Sequence, residues 1–129
     1  MEGKNEIVDE NNSLLQLNLG NSTREILHGL DKLMKKGTLN QSLVRESLLK
    51  ASRLARSFDD FRSLYLFSFF SVYPKIWPDF KWVDTLMETA IKYSNSEYQL
   101  FVLLKDAALM GKQNISKKIR PRLEAVTTL

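Results

Sequence analysis

The stretch that decides the fold is FDDFRSLYLFSFFSVY, residues 58–73, the most apolar part of the chain. After residue 63 its apolar side chains surround almost the whole circumference of a helix, and such a helix is buried on all sides or docks on another surface. Aromatic residues also favour strands. We predict a helix because sixteen residues without Gly or Pro are long for a strand, and because Asp59 and Asp60 suit the first turn of a helix.

Apolar residues at helical spacing predict further helices on both sides of this stretch. Gly37 and Gly111 suit helix ends, and Pro78 suits a first turn, where its missing N–H costs nothing. Besides 58–73, the predicted helices cover about 23–36, 41–56, 78–93, 95–111 and part of 114–129. We expect the last one to be short and broken near Pro121, because the proline ring pushes Arg120 away from the α region.

This pattern predicts an all-α protein, a compact bundle of five to six short helices that leaves no room for a sheet. A shift of 39 residues lays the second and third helices over the fourth and fifth. The matched pairs include Val44 with Val83, Leu48 with Met87 and Leu64 with Leu103. Because helical repeat arrays have periods of this size, two stacked helical hairpins in a solenoid-like arrangement are the alternative architecture.

The chain has 129 residues, enough for one domain, and its charge is unevenly distributed. Residues 1–20 hold one lysine and four acidic residues, a net charge of −3, which leaves +7 for the rest. Since this segment has little apolar surface, we predict a disordered acidic arm over 1–20. The helical domain is predicted over 21–112 and a basic extension with a short helix over 113–129.

Two short segments resemble linear motifs. Leu15, Leu17 and Leu19 alternate with polar residues, which places three leucines on one side of an extended segment that suits a sheet edge or a partner's groove. This pattern resembles the L-x-L-x-L pattern of plant corepressor-binding motifs. The terminal residues Thr127 to Leu129 resemble a ligand of PDZ domains. Whether either segment acts as a functional motif stays open at this point.

The residues that most enzymes use are missing from the sequence. Cysteine is absent and His28 is the one histidine, which excludes thiolate metal sites, cysteine nucleophiles and clusters of several histidines. Asp59 and Asp60 are adjacent and point about 100° apart on a helix, so they do not form a paired acid and base. No glycine-rich phosphate loop occurs. We therefore predict that the protein is not an enzyme and needs no cofactor, metal or small-molecule substrate.

Aromatic residues are the strongest anomaly of the sequence. All 13 lie between Phe58 and Phe101, more rings than a small interior readily absorbs, and Trp and Tyr are enriched at interface hot spots. They predict a non-enzymatic protein–protein interaction module, an adaptor, chaperone-like subunit or regulator, or a self-associating protein. The predicted partner-binding residues are Tyr65, Phe69, Tyr73, Trp77, Phe80 and Trp82.

The alternative function is a nucleic-acid-binding regulator. Phosphate contacts need only positive charge, which the second helix and the C-terminal extension supply. The residues for this role are Arg45, Arg53, Arg56, Lys112, Lys117, Lys118, Arg120 and Arg122. The first twenty residues lack a secretory signal, and no apolar run reaches the ~20 residues of a membrane span. We therefore expect a cytoplasmic protein, or a nuclear one in a eukaryote, and not a secreted one.

Overall fold

The computed structural model describes residues 20–37, 41–72 and 80–127, and within these ranges it contains six α-helices and no strand. The helices are α1 (Thr23–Lys35), α2 (Gln41–Leu54), α3 (Phe58–Phe67), α4 (Phe80–Tyr93), α5 (Glu97–Leu109) and α6 (Gln113–Thr127). α3 continues directly into one π-helical turn, Ser68–Val72. The predicted all-α fold is confirmed. None of these helices is long and apolar enough to cross a membrane.

Signals in the local sequence set where several helices begin and end. Ser22, Ser57 and Ser96 each accept a hydrogen bond of 3.2 Å from the backbone N–H three residues further on. Each bond satisfies a donor that the first helical turn leaves unpaired. α5 is followed by Gly111, whose φ of +68° is a left-handed conformation that favours glycine. The backbone N–H groups of Gly111 and the next residue donate to carbonyls of the last turn, as in a Schellman motif.

Consecutive helices pack as hairpins around one hydrophobic core. α1 packs most extensively on α2, α3 on α4, and α5 on α6, while smaller contacts join neighbouring hairpins. The four residues Val44, Val83, Leu48 and Met87, which the 39-residue shift matches in pairs, are all buried. The packed hairpins, however, are α1 with α2, α3 with α4 and α5 with α6, whereas the shift compares α2 and α3 with α4 and α5. The 39-residue period therefore relates equivalent buried positions of successive helices, and it does not correspond to the packed hairpins.

α6 corrects the prediction of a broken last helix. It runs without a break through Pro121, and its buried side chains Ile115, Ile119 and Leu123 recur at every fourth position. The carbonyl that loses its hydrogen bond belongs to Lys117, and both Lys117 and Pro121 are exposed, so water can satisfy that carbonyl. Burial of the opposite face holds the helix together. The packed part of the chain therefore extends beyond residue 112, where the sequence predicted its end.

Replacing Pro121 by Ala is expected to raise the free energy of unfolding by about 1–2 kcal/mol. Proline in a helix interior costs about 3 kcal/mol relative to alanine, and the solvent-facing position relieves part of that cost. Urea denaturation of the wild type, Pro121→Ala and the exposed neighbour control Arg122→Ala measures the effect. Equal stability of all three proteins would show that Pro121 does not destabilise α6.

The predicted acidic arm lies outside the described residues except for Gly20. Gly20 packs closely on the first turn of α1, since a Cβ atom built there would lie 2.1 Å from the Glu25 Cβ. The Glu25 carboxylate accepts a 3.1 Å hydrogen bond from the Asn21 backbone N–H. The chain therefore lies against α1 where the described part begins.

Candidate partner-binding surface

α5 is apolar on two opposite sides. Leu100, Leu103 and Ala107 are buried in the core. On the other side, Tyr98 is 75% exposed, Phe101 51% and Leu109 72%. A helix that is apolar all round is normally covered all round, whereas the described part of the chain covers only one side of α5.

The exposed residues of α5 form one continuous stripe. Positions 98, 101, 105, 108 and 109 follow each other at helical spacing, so their side chains lie on the same side of the helix. We name Tyr98, Phe101, Lys105, Ala108 and Leu109 the α5 outer face; all five are exposed. Lys105 places one positive charge in the middle of this apolar stripe.

The size of the α5 outer face is that of an interaction patch. A large aromatic side chain presents about 150–250 Å² of surface, so the exposed parts of Tyr98, Phe101 and Leu109 amount to roughly 300–400 Å². The largest apolar patch on a typical monomer measures about 300–600 Å² and often has a function. The α5 outer face falls within that range.

A basic groove adjoins the α5 outer face where α5 turns into α6. Its volume is about 400 Å³. The lining consists of Ala107, Ala108, Gly111, Lys112, Gln113, Ser116, Lys117 and Arg120. Small residues leave the space open, and no carboxylate is among the lining residues in the described part of the chain. Because Ala108 belongs to both features, the apolar stripe leads directly into a groove that carries the exposed cations Lys117 and Arg120.

Two of the predicted nucleic-acid-binding lysines form ion pairs with carboxylates of α4, one of them buried and the other at the surface. Lys112 is 7% exposed, and its Nζ lies 2.8 Å from Asp84 Oδ1. Lys118 Nζ lies 2.5 Å from Glu88 Oε1. The Lys118 pair joins α6 to α4, the Lys112 pair joins the residue just before α6 to α4, and Asn114 adds a 3.2 Å hydrogen bond to the second Asp84 oxygen. Lys112 and Lys118 therefore tie two helices together, which leaves less free charge for phosphate than the sequence predicted.

The other predicted basic residues are exposed but lie in two separate places. Lys117, Arg120 and Arg122 are on α6, in the last hairpin. Arg45, Arg53 and Arg56 belong to α2 and to the residues just after it, in the first hairpin. The Arg56 guanidinium donates to the carbonyls of Arg53 and Ala55 at 2.7 and 2.9 Å, so it caps the C-terminal end of α2.

Tyr65 corrects the predicted set of partner-binding residues. Its side chain is completely buried, and its hydroxyl donates a hydrogen bond to the carboxylate of Asp106. Arg62 approaches the same carboxylate, with Nε at 2.8 Å and Nη2 at 3.3 Å. Tyr65 is therefore a core residue that links α3 to α5, and its ring is not available to a partner.

The same interaction shifts the ionisation of Tyr65. Burial of the side chain, followed by the hydrogen bond to Asp106, raises the pKa of Tyr65 well above its usual value of 10. Both causes favour the neutral hydroxyl, because the phenolate would lie buried beside a carboxylate. Tyr65 thus stays protonated in the folded protein under all ordinary conditions.

The remaining predicted rings are partly buried or undescribed. Trp82 is half-buried, and its indole N–H donates a 3.0 Å hydrogen bond to the buried Ser68 hydroxyl in the π-helical turn. Phe69 is half-buried and meets Phe70 edge to face, with ring centres 5.0 Å apart. Tyr73, Trp77 and the side chain of Phe80 lie outside the described residues, and so do the last two residues of the chain.

Four exposed rings lie outside the predicted partner-binding set: Phe70, Tyr93, Tyr98 and Phe101. The sequence contains a signal for exposed rings on α5, because apolar residues occur on all sides of this helix, including the α5 outer face.

A second groove lies between α1 and the end of α3. It is open, with a volume of about 460 Å³. Its lining consists of Arg24, Leu27, His28, Asp31, Ser63, Leu66, Phe67, Phe70 and Ser71. Phe70 is 62% exposed at its edge. We name this feature the α1–α3 groove.

In the part of the chain that the structure describes, no three His, Cys, Asp or Glu residues come together in a way that would hold a metal ion. His28 is exposed on α1. The comparisons with known proteins found no match among family models, curated proteins or solved structures.

Proposed function

We propose that the protein is a non-enzymatic interaction module, an adaptor or regulator, that binds an acidic amphipathic segment of a partner protein. The partner's apolar side chains would cover the α5 outer face, and its carboxylates would meet Lys105 and the basic groove. The observation that carries this proposal is the continuity of the exposed apolar stripe with the acid-free groove that holds Lys117 and Arg120.

Apolar burial supplies the affinity in this proposal. Full burial of one large apolar side chain contributes about 1.5–3 kcal/mol, and the α5 outer face offers three such side chains. Aromatic residues surrounded by smaller contacts are typical centres of binding energy. The cations contribute mainly to the rate of encounter and to the choice of partner.

Charge favours an acidic partner over a second copy of this chain. A symmetric dimer through the α5 outer face would repeat Lys105 on both sides of the twofold axis, in the middle of the apolar stripe. Like charges facing each other in an interface oppose binding. A partner with a carboxylate at this position would instead form an ion pair with Lys105.

Nucleic-acid binding is supported less well by the structure. Lys112 and Lys118 are paired with carboxylates of α4, and the basic residues of α2 lie in another hairpin. Binding to unrelated DNA duplexes that weakens with salt, at a log–log slope of about −0.9 for each phosphate contact, would favour that function. Binding that does not change with salt concentration would exclude the nucleic-acid-binding function.

Replacing Phe101 and Leu109 by Ser is expected to lower partner capture by about tenfold or more, since 1.4 kcal/mol of lost binding energy corresponds to a factor of ten. Both side chains are exposed, so the helical circular dichroism spectrum should not change. The matched control replaces Leu49 and Phe70, two exposed apolar residues elsewhere, by Ser. Quantitative mass spectrometry of the captured proteins compares the three baits.

The comparison can contradict the proposal directly. Proteins that the wild type and the control capture, but the α5 variant does not, are the expected partners, and they should bind through acidic segments. If the α5 variant retains every protein that the control retains, the α5 outer face is not the binding surface.

A further inference from the structure

We propose that this protein forms a symmetric dimer through the α1–α3 groove. In this dimer, Phe70 of each protomer enters the groove of the other, and Arg24 forms an ion pair with the partner's Asp31. The α1–α3 groove and the α5 outer face have no residue in common. The dimer is therefore a separate claim from the proposed binding of an acidic partner.

Two helical faces line the groove side by side. On α1 the lining positions are 24, 27, 28 and 31, and on α3 with its π-helical turn they are 63, 66, 67, 70 and 71. Both series follow the spacing that places side chains on one face of a helix. Two such faces from each of two protomers can pack as a bundle of four helices. The groove therefore suits a helical surface as its occupant.

Apolar side chains form the base of the groove, and one ring stands at its edge. Leu27 is buried, Leu66 and Phe67 are half-buried, and Phe70 is 62% exposed. A twofold axis beside the groove would bring each Phe70 over the apolar base of the other protomer. The exposed ring and the apolar base are thus complementary, and each protomer supplies both of them.

The π-helical turn holds Phe70 in this exposed position. Ser68 and Val72 are buried at the two ends of the turn, and Phe70 lies between them on the outer side. The Trp82 indole N–H donates to the Ser68 hydroxyl at 3.0 Å, and the Phe69 and Phe70 rings meet edge to face. Single π-helical turns occur frequently at functional sites. The fold therefore presents one apolar ring to water, where a second protomer can cover it.

The charges on α1 complement each other about a twofold axis. Arg24 and Asp31 both line the groove and lie about 10 Å apart along the helix axis. Two antiparallel copies of α1 that cross midway between these residues bring each Arg24 to the partner's Asp31, so the ion pair forms twice. Asp31 also pairs with Lys35 at 3.0 Å on the surface of α1. A carboxylate has about four acceptor sites, so it can bind both cations.

This charge pattern favours a second copy of the chain as the occupant. Lys105 in the middle of the α5 outer face opposes a symmetric contact there, whereas Arg24 and Asp31 place opposite charges on the two sides of the axis. Fewer residues line the groove than the about 20–30 that each side of a standard interface contributes. We therefore expect a reversible dimer with a dissociation constant in the micromolar range.

Sedimentation equilibrium of the full chain over roughly 10–500 μM tests the proposal. We expect the wild type to dimerise reversibly within this range. Arg24→Asp and Asp31→Arg should each weaken the dimer about tenfold or more, since each variant brings like charges together at both positions of the ion pair. The matched control is Arg122→Asp, the same charge reversal at an exposed position on α6. It should dimerise like the wild type.

A mixture of the two groove variants gives the sharpest result. The Arg24→Asp protein presents carboxylates at both positions and the Asp31→Arg protein presents guanidinium groups, so both ion pairs can form in a mixed dimer. We expect an equimolar mixture to dimerise about as strongly as the wild type, although each variant alone does not.

Phe70→Ser should also weaken the dimer about tenfold, because the ring that enters the partner's groove is lost. All of these positions are exposed or half-buried, so the helical circular dichroism spectrum should not change. A wild type that stays monomeric over the whole range would overturn the proposal. Groove variants that dimerise as strongly as the wild type, or a mixture that stays monomeric, would overturn it as well.

Discussion

Replacing Asp106 by Ala is expected to lower the free energy of unfolding by about 3 kcal/mol. The Asp106 side chain is 5% exposed and accepts hydrogen bonds from Arg62 and Tyr65. Its loss leaves the buried Tyr65 hydroxyl without an acceptor, a cost of about 1–3 kcal/mol by itself. Arg62 is 41% exposed and can turn toward water, which keeps the total at the lower end for a broken buried ion pair.

The matched control for this variant is Asp31→Ala. Asp31 also forms an ion pair, with Lys35 at 3.0 Å, but both side chains are largely exposed. Exposed pairs of this kind contribute about 0.3–0.5 kcal/mol. Urea denaturation should therefore separate the two variants clearly. Equal losses of stability would show that the interactions of Asp106 between α3 and α5 contribute no more to stability than an exposed ion pair.

The protein is expected to lose stability steeply above pH 10, and Tyr65→Phe should reduce that loss. Because burial and Asp106 raise the pKa of Tyr65 in the folded state, its contribution is complete below the unfolded value of about 10. Above that pH the unfolded chain releases the proton and the folded protein keeps it. The contribution then falls by about 1.4 kcal/mol for each pH unit.

Urea denaturation at pH 8 and pH 11 measures this difference. The Tyr65→Phe variant should be less stable than the wild type at pH 8, because the hydrogen bond to Asp106 is lost, and the gap should shrink at pH 11. Tyr98→Phe is the control, since Tyr98 is 75% exposed. If the stability of both variants changes between pH 8 and pH 11 in the same way as that of the wild type, ionisation of the Tyr65 hydroxyl on unfolding does not cause the loss of stability.

The helices could be predicted from the sequence because their causes are local. Apolar spacing, serine caps and glycine stops act within a few residues of each other, and α1 to α5 lie close to their predicted positions. α6 was predicted less well. The rule that proline breaks helices is local, whereas the burial of Ile115, Ile119 and Leu123 depends on helices distant in sequence.

Which side chains the packed helices leave exposed could not be predicted from the sequence. An excess of aromatic residues indicated exposed rings, but the sequence could not show that Tyr65 has a buried acceptor 41 residues away. It also could not show that Lys112 and Lys118 meet carboxylates of α4. The exposure of Tyr98 and Phe101 follows from which side of α5 the other helices cover, and that is a property of the packed protein.

The measurement that tests the central claim most directly is the affinity of an isolated acidic segment from a captured partner for the wild type and two double variants, determined by calorimetry. We predict that Phe101→Ser with Leu109→Ser raises the dissociation constant by about tenfold or more. Leu49→Ser with Phe70→Ser should leave it unchanged. An unchanged dissociation constant in the first variant would contradict the account, because the exposed side of α5 would then take no part in binding.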